Sequence, residues 1–192
     1  MACGTGKTLV GVWVTERLKS VRTLVLVPSL SLMNQISLEW QTNSTEPFRG
    51  LFVCSDQTAD DNFVSSTGEL GHAVTTDPRD IQRFMSGEGT SVVFSTYQSS
   101  QKVSQALRKK GVGAFDLIVA DEAHRCAGNV GKDYGGVLDE KVLPARKRLF
   151  MTATPRIPPR SKRVEDGVDE EVVSMDNEAL FGPELHRLTF GK

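Results

Sequence analysis

No stretch of this chain approaches the roughly 20 consecutive apolar residues that cross a bilayer, and no signal peptide opens it, so neither membrane spanning nor export is expected. An excess of one charge is lacking too. The 23 Lys and Arg stand against 24 Asp and Glu, a net −1, which argues against a wholesale basic surface. Any nucleic-acid contact is therefore left to local patches and backbone donors. Cysteine is scarce: Cys3, Cys54 and Cys126 are odd in number and lie in unrelated contexts. They fit reduced thiols in the cytoplasm better than a disulfide framework, and a cytoplasmic location is the expectation. No internal repeat is found. What remains is ordinary for a globular domain, 192 residues at 39% hydrophobic and 24% charged. That is room for one α/β domain with a sizeable core, not for two.

The chain is organised around residues 1–8, Met-Ala-Cys-Gly-Thr-Gly-Lys-Thr. Gly4 and Gly6, with Thr5 between them, let the backbone turn its N–H groups inward around a phosphate chain. Lys7 then reaches the β- and γ-phosphates, and the Thr8 hydroxyl is placed to ligate Mg²⁺. A helix starting here directs its positive end at the same anion. Met1 stands where such loops usually have their first glycine, and the strand that normally leads into the loop has no room before it. A Gly-Lys-Thr in a flexible tail is the bland alternative, and the later motifs displace it.

Downstream, Val10, Val14 and Leu18 fall on one helical stripe with Trp13 beside it, giving a first helix that fades near Lys19. Residues 23–27 form a continuous apolar run ended by Pro28, the pattern of a strand buried on both faces. Met33, Ile36 and Trp40 mark a second helix, and 51–54 another strand. Residues 56–76 read as mostly loop. Asp77-Pro78 opens a short helix through Met85, Asp as N-cap and Pro at the first helical position. A strand at 91–94 precedes a helix whose apolar side holds Val103, Ala106 and Leu107. Phe115 to Ala120 is the clearest buried strand, and 148–151 the next, with a glycine-rich, mobile stretch at 127–136 between them. Alternating strands and helices predict an α/β fold, a mostly parallel sheet covered by helices on both faces. Ligands bind beyond the carboxyl ends of such strands, and the distinctive polar groups lie there: Pro28-Ser29, Ser95-Thr96, Asp121-Glu122 and Thr152 to Thr154.

Asp121-Glu122-Ala123-His124 completes the phosphate loop. Asp121 would hold Mg²⁺ opposite Thr8, and Glu122 would orient and polarise the water that attacks the γ-phosphate. His124 and Cys126 have a metal-like spacing but no further ligands nearby, so zinc is rejected; His124 is read as coupling the site to its neighbours. From Lys141 to Arg163 there are eight basic residues and no acidic one, before the sign reverses from Glu165 to Glu178. That basic run is either a solvated loop or a phosphate-contacting edge.

Gly-Thr-Gly-Lys-Thr, Asp-Glu-Ala-His and Thr-Ala-Thr, in this order, resemble motifs I, II and III of superfamily 2 helicases and translocases. Residues 27–30 with Asn34-Gln35 resemble motif Ia, and Ser95-Thr96-Tyr97-Gln98-Ser99 the nucleic-acid-contacting motif that follows it. The wording, including Leu180-Phe-Gly-Pro183, is most similar to the helicase-like motor of restriction and phage-defence enzymes. The resemblance implies the first RecA-like lobe of a P-loop, DEAH-box motor, incomplete at the N-terminus: a core over 1–155, a basic-then-acidic loop over 156–171, and a last strand and connection over 172–192.

By the same likeness the chain is an NTP-dependent hydrolase using ATP and Mg²⁺, and its nucleic-acid partner is DNA in preference to RNA. Catalysis rests with Lys7, Asp121 and Glu122, the strand path with Pro28, Ser29, Ser95 and Thr96, and coupling with His124, Thr152 and Thr154. The leading strand and a second RecA-like lobe, with its arginine finger, are expected to be missing. The alternative function is a truncated, non-catalytic nucleotide- or DNA-binding remnant.

Overall fold

The structure is a computed structural model and describes residues 6–55, 73–109, 111–128, 135–158 and 173–188. Six strands are present: β1 Arg22–Val27, β2 Arg49–Val53, β3 Val74–Thr75, β4 Ser91–Thr96, β5 Phe115–Ala120 and β6 Ala145–Phe150. They lie in the order β3-β2-β4-β1-β5-β6, and every neighbouring pair is parallel. The helices are α1 Lys7–Arg17, α2 Leu30–Asn43, α3 Pro78–Met85 and α4 Ser100–Leu107, with a further helical turn at Glu178–Phe181.

The inner strands β1, β4 and β5 are buried on both sides because both sides are covered, whereas the edge strand β6 carries exposed Arg146 and Lys147. Val25 and Val27 of β1 face α1 and α2, packing with Val12, Met33, Ile36 and Trp40. Leu24 and Leu26, one residue out of phase, face α3 and α4, packing with Ile81, Met85, Val103 and Ala106. The predicted N-cap of α3 is there, Asp77 accepting from the Arg79 N–H at 2.8 Å.

Four expectations need adjustment. The buried face of α1 is Gly11, Val12 and Thr15, while Val10 and Val14 are half-buried and Trp13 and Leu18 are 57% and 41% exposed. The reason is Gly11. Its missing side chain lets the helix lie close to the sheet, with Val119, Trp40 and Met151 each 3.5–3.7 Å from where a Cβ would sit. Secondly, the stretch read as loop over 56–76 contains β3 at its end; residues 56–72 lie outside the described residues. Thirdly, of the glycine-rich stretch, Gly128 (φ +91°) bridges to Val173 and Gly136–Leu138 makes a 3₁₀ turn, while 129–134 lie outside the described residues. Finally, the expected last strand within 172–192 is, over 173–188, that single bridge followed by the helical turn, whose Phe181 ring meets Phe150 edge-on at 5.0 Å.

The basic run divides in the structure. Arg146 pairs with Asp116 at 3.7 Å, and Arg148 donates to the Val137 and Leu143 carbonyls and to Glu140. Arg156 donates to the Ala127 carbonyl at 3.2 Å. Arg148 and Arg156 hold loops in place and Arg146 joins two strands, which favours the bland reading of the run; Arg160, Lys162 and Arg163 lie outside the described residues.

Candidate functional site

Gly6 takes the left-handed conformation (φ +78°) immediately before α1, as the turn of a phosphate loop demands and as only glycine adopts without strain. Lys7 is the first helical residue and Thr8 follows in the same turn. Gly4 and Thr5 lie outside the described residues.

The Lys7 Nζ reaches Glu122 Oε1 at 3.4 Å, with side chains only 11% and 22% exposed, so the start of α1 and the end of β5 meet. Glu122 Oε2 lies 3.2 Å from His124 Nδ1, which is 3.0 Å from Thr152 Oγ1. Thr152 Oγ1 also accepts the Thr154 N–H at 3.1 Å. Residues placed at 7, 122, 124, 152 and 154 in the sequence thus form one chain of contacts across the carboxyl ends of β5 and β6.

Asp121 differs from its neighbour. It is 7% exposed, and among the described residues its buried Oδ1 has no hydrogen-bond partner. Burial pushes its carboxyl above the usual range; the Glu122 charge adds to this, while the Glu122 backbone N–H and Lys7 act the other way. A buried, under-satisfied carboxylate oxygen is costly unless a cation or proton meets it. Glu122 itself has φ +49°, a left-handed conformation uncommon outside glycine, and such strain concentrates at functional sites. Sequence spacing locates these two carboxylates but not the opposite environments in which they sit.

The strand-path candidates are less accessible. Ser29 caps α2, accepting from the Leu32 N–H at 3.4 Å, beside a buried Pro28. Ser95 and Thr96 are fully buried. Ser95 donates to the Thr96 carbonyl at 2.9 Å, and Thr96 Oγ1 accepts the Ser99 N–H at 3.3 Å. Their hydroxyls are engaged in shaping the turn into α4, so the structure does not bring them to a surface that a strand can touch. Two residues that the sequence reading did not place in the nucleotide site belong to it: Tyr97, whose hydroxyl donates to the Asp121 carbonyl at 2.7 Å, and Arg156, which ties the segment after Thr154 to Ala127. The sequence signal for Tyr97 was its place in the motif over residues 95–99, read as a nucleic-acid contact, and that for Arg156 its place in the basic run. A 490 Å³ cavity lined by Val12, Trp40, Phe48 and Val92 opens at the amino ends of the strands and takes no part in this chemistry.

The sequence pattern of the type III restriction enzyme res subunit matches residues 1–157. The chain belongs to that family. It is 32% identical over 185 residues to the probable helicase A859L of African swine fever virus isolates, matching 95% of this chain and 18% of the viral protein. Among solved structures it is similar to the Type ISP restriction-modification enzyme LlaGI, a nuclease-deletion mutant in complex with a DNA substrate mimic, with TM-score 0.75, 31% identity and coverage of 99% of this chain and 17% of that one. LlaBIII, an ATP-dependent Type ISP enzyme bound to DNA, gives 0.73 and 31%, over 95% of this chain and 13% of that one. The Pyrococcus furiosus Hef helicase domain, at 20% identity and TM-score 0.54 over 82% of this chain and 29% of that one, shares the fold. The res-family chain is thus a RecA-like first lobe of superfamily 2 and a helicase-like domain related to Type ISP restriction enzymes and viral helicases. It spans about a fifth of the length of the curated relatives it matches. Among the described residues, no helix is long and apolar enough to cross a membrane.

Proposed function

We propose that this chain is the ATP-binding lobe of a DNA-dependent ATPase serving a restriction or phage-defence type of enzyme, with residues 1–192 forming one lobe. The reading is carried by one observation: Lys7, at the start of α1, lies 3.4 Å from Glu122 beside a buried Asp121 oxygen that has no partner among the described residues. Mg²⁺ fits the donor set. Asp121 offers a buried carboxylate oxygen, Thr8 a hydroxyl, and hard oxygen donors of this kind suit that ion. When bound, it supplies positive charge to the phosphates and to the developing transition state.

The chain's own residues do the rest. The N–H groups at the start of α1 and Lys7 bind the phosphate oxygens of ATP, and doing so takes Lys7 from Glu122. Glu122, released from that ion pair and still in contact with His124, accepts a hydrogen bond from a water and orients it toward the terminal phosphate. Thr152 and Thr154 carry the change along β6 through His124. These groups form one wall of a cleft. A facing lobe would exclude water and bring an arginine, a contribution worth roughly 10³–10⁵ in rate in phosphoryl transfer, so DNA-stimulated turnover depends on that lobe. DNA serves as partner through backbone and hydroxyl contacts that read no sequence.

The test is titration with a fluorescent ATP analogue alongside phosphate release. Lys7→Ala removes the cation that meets the phosphates and is expected to weaken binding by at least about tenfold. Glu122→Gln is expected to leave affinity within about threefold, since the amide cannot polarise water but meets no phosphate, while abolishing whatever hydrolysis the parent shows. Equal binding by Lys7→Ala and the parent would remove the phosphate-loop assignment.

A further inference from the structure

Tyr97 lies at the junction of the two halves of the site. Its ring is fully buried, in the same cluster as Leu26, Ala120, Ala123 and Cys126. Its backbone N–H donates to the Val27 carbonyl at 3.1 Å, and its carbonyl receives the Ser100 N–H at 3.1 Å. Its hydroxyl crosses β1 to donate to the Asp121 carbonyl at 2.7 Å, while the Asp121 N–H donates to Leu26 at 2.9 Å. One residue therefore links the ends of β4, β1 and β5, its backbone N–H reaching β1 and its hydroxyl β5.

The turn it reaches needs holding. Glu122 is left-handed at φ +49°, and such a residue persists only where its surroundings over-determine it. On the far side, the Ala123 N–H donates to the Met151 carbonyl at 2.9 Å; on the near side, Tyr97 holds the Asp121 carbonyl. Phenylalanine would fill the same volume. What the hydroxyl adds is that one bond and a contact with the Cys126 thiol, which burial pushes up to about 12 while Tyr97 acts the other way.

We propose that Tyr97 is a positioning residue: by holding the Asp121 carbonyl, its hydroxyl fixes the placement of the Asp121 and Glu122 carboxylates and ties it to the turn between β4 and α4. The consequence rests on the Mg-nucleotide reading above. Loss of the hydroxyl impairs the metal-dependent part of nucleotide binding and spares the part that depends on Lys7.

Affinity for a fluorescent ADP is measured with excess Mg²⁺ and in EDTA, for the parent, Tyr97→Phe and Lys7→Ala. Tyr97→Phe is expected to match the parent in EDTA and to bind about five- to tenfold more weakly with Mg²⁺, the effect of losing one buried hydrogen bond. Equal loss under both conditions, as general loosening would give, or no loss under either, overturns the proposal. Lys7→Ala is expected to weaken binding under both; if it does not, the nucleotide reading fails independently.

A second measurement decides the matter if Tyr97→Phe does not fold or the parent binds no nucleotide. The chain has two tyrosines, Tyr97 and Tyr134, so fluorotyrosine labelling gives two ¹⁹F resonances, assigned with Tyr134→Phe. Asp121→Asn is expected to shift the Tyr97 resonance with no ligand present. An unmoved resonance overturns the link.

Discussion

Asp121 and Glu122 are adjacent carboxylates with opposite circumstances. Glu122 has Lys7 at 3.4 Å and His124 at 3.2 Å; Asp121 has one buried oxygen with no partner among the described residues. The raised Asp121 pKa makes this a statement about stability, because the folded state favours the protonated form. Below the ordinary carboxylate range both folded and unfolded chains hold the proton and nothing is lost. As pH rises through the unfolded value and on through the raised folded one, the unfolded chain ionises first and stability falls; above both, the loss is complete. Asp121→Asn removes that loss. The variant is therefore expected to unfold at a higher temperature than the parent near neutral pH in EDTA, and to lack the parent's decline with pH above the ordinary carboxylate range. Thermal unfolding across a pH series checks this. A variant less stable than the parent near neutrality would mean that the unpartnered oxygen carries no cost. The parent, but not the variant, is expected to be stabilised by added Mg²⁺.

At the scale of elements, α1 is positioned by the small size of Gly11. A Cβ at Gly11 would meet Val119, Trp40 and Met151 at 3.5–3.7 Å, ordinary contact distances. Gly11→Ala is thus expected to be neutral or to stabilise by up to about 1 kcal/mol, the helix-propensity difference. Gly11→Leu would force α1 off the sheet and is expected to cost about 1–3 kcal/mol, displacing Lys7 from Glu122 and weakening nucleotide binding as well. Chemical denaturation of the pair separates the two effects. The turn into α4 makes the complementary case. Since the Ser95 and Thr96 hydroxyls bond locally within the core, replacing both by Ala is expected to cost about 1 kcal/mol or more in stability. The salt dependence of DNA binding should remain that of the parent, as measured by fluorescence anisotropy over a salt series. A shallower slope would restore these two residues to the strand path.

At the scale of the whole molecule, the carboxyl ends of β1, β4, β5 and β6 form one working edge. Its charges are few and local, since the net charge is −1 and several arginines of the basic run bind carbonyls and carboxylates of the chain itself. DNA binding by this lobe alone is accordingly expected to be weak, indifferent to sequence and steeply reduced by salt, because few phosphates are neutralised. Affinities for two unrelated duplexes at low and moderate salt test it; a marked preference for one duplex would contradict backbone-only contact.

Local sequence was enough to place the inner strands β1, β2, β4 and β5 and the helices α1 to α4, because strands buried on both faces must be continuous apolar runs and because Asp77-Pro78 or Gly-Lys-Thr carry their own backbone geometry; it missed the edge strand β3 and the polar first half of β6. It also located the residues proposed to carry the chemistry, since those motifs follow strand ends. Tertiary structure alone decided what depends on distant neighbours. It turned α1 so that Gly11 rather than Trp13 faces the sheet, and it buried Ser95 and Thr96, which sequence placed on a DNA path. It left an oxygen of Asp121 without a partner among the described residues, one residue from a Glu122 that has two, and it brought the Tyr97 hydroxyl to the Asp121 carbonyl. Burial and hydrogen-bond partners are properties of pairs separated by 24 residues, as for Tyr97 and Asp121, or by 115, as for Lys7 and Glu122, and no local pattern encodes them.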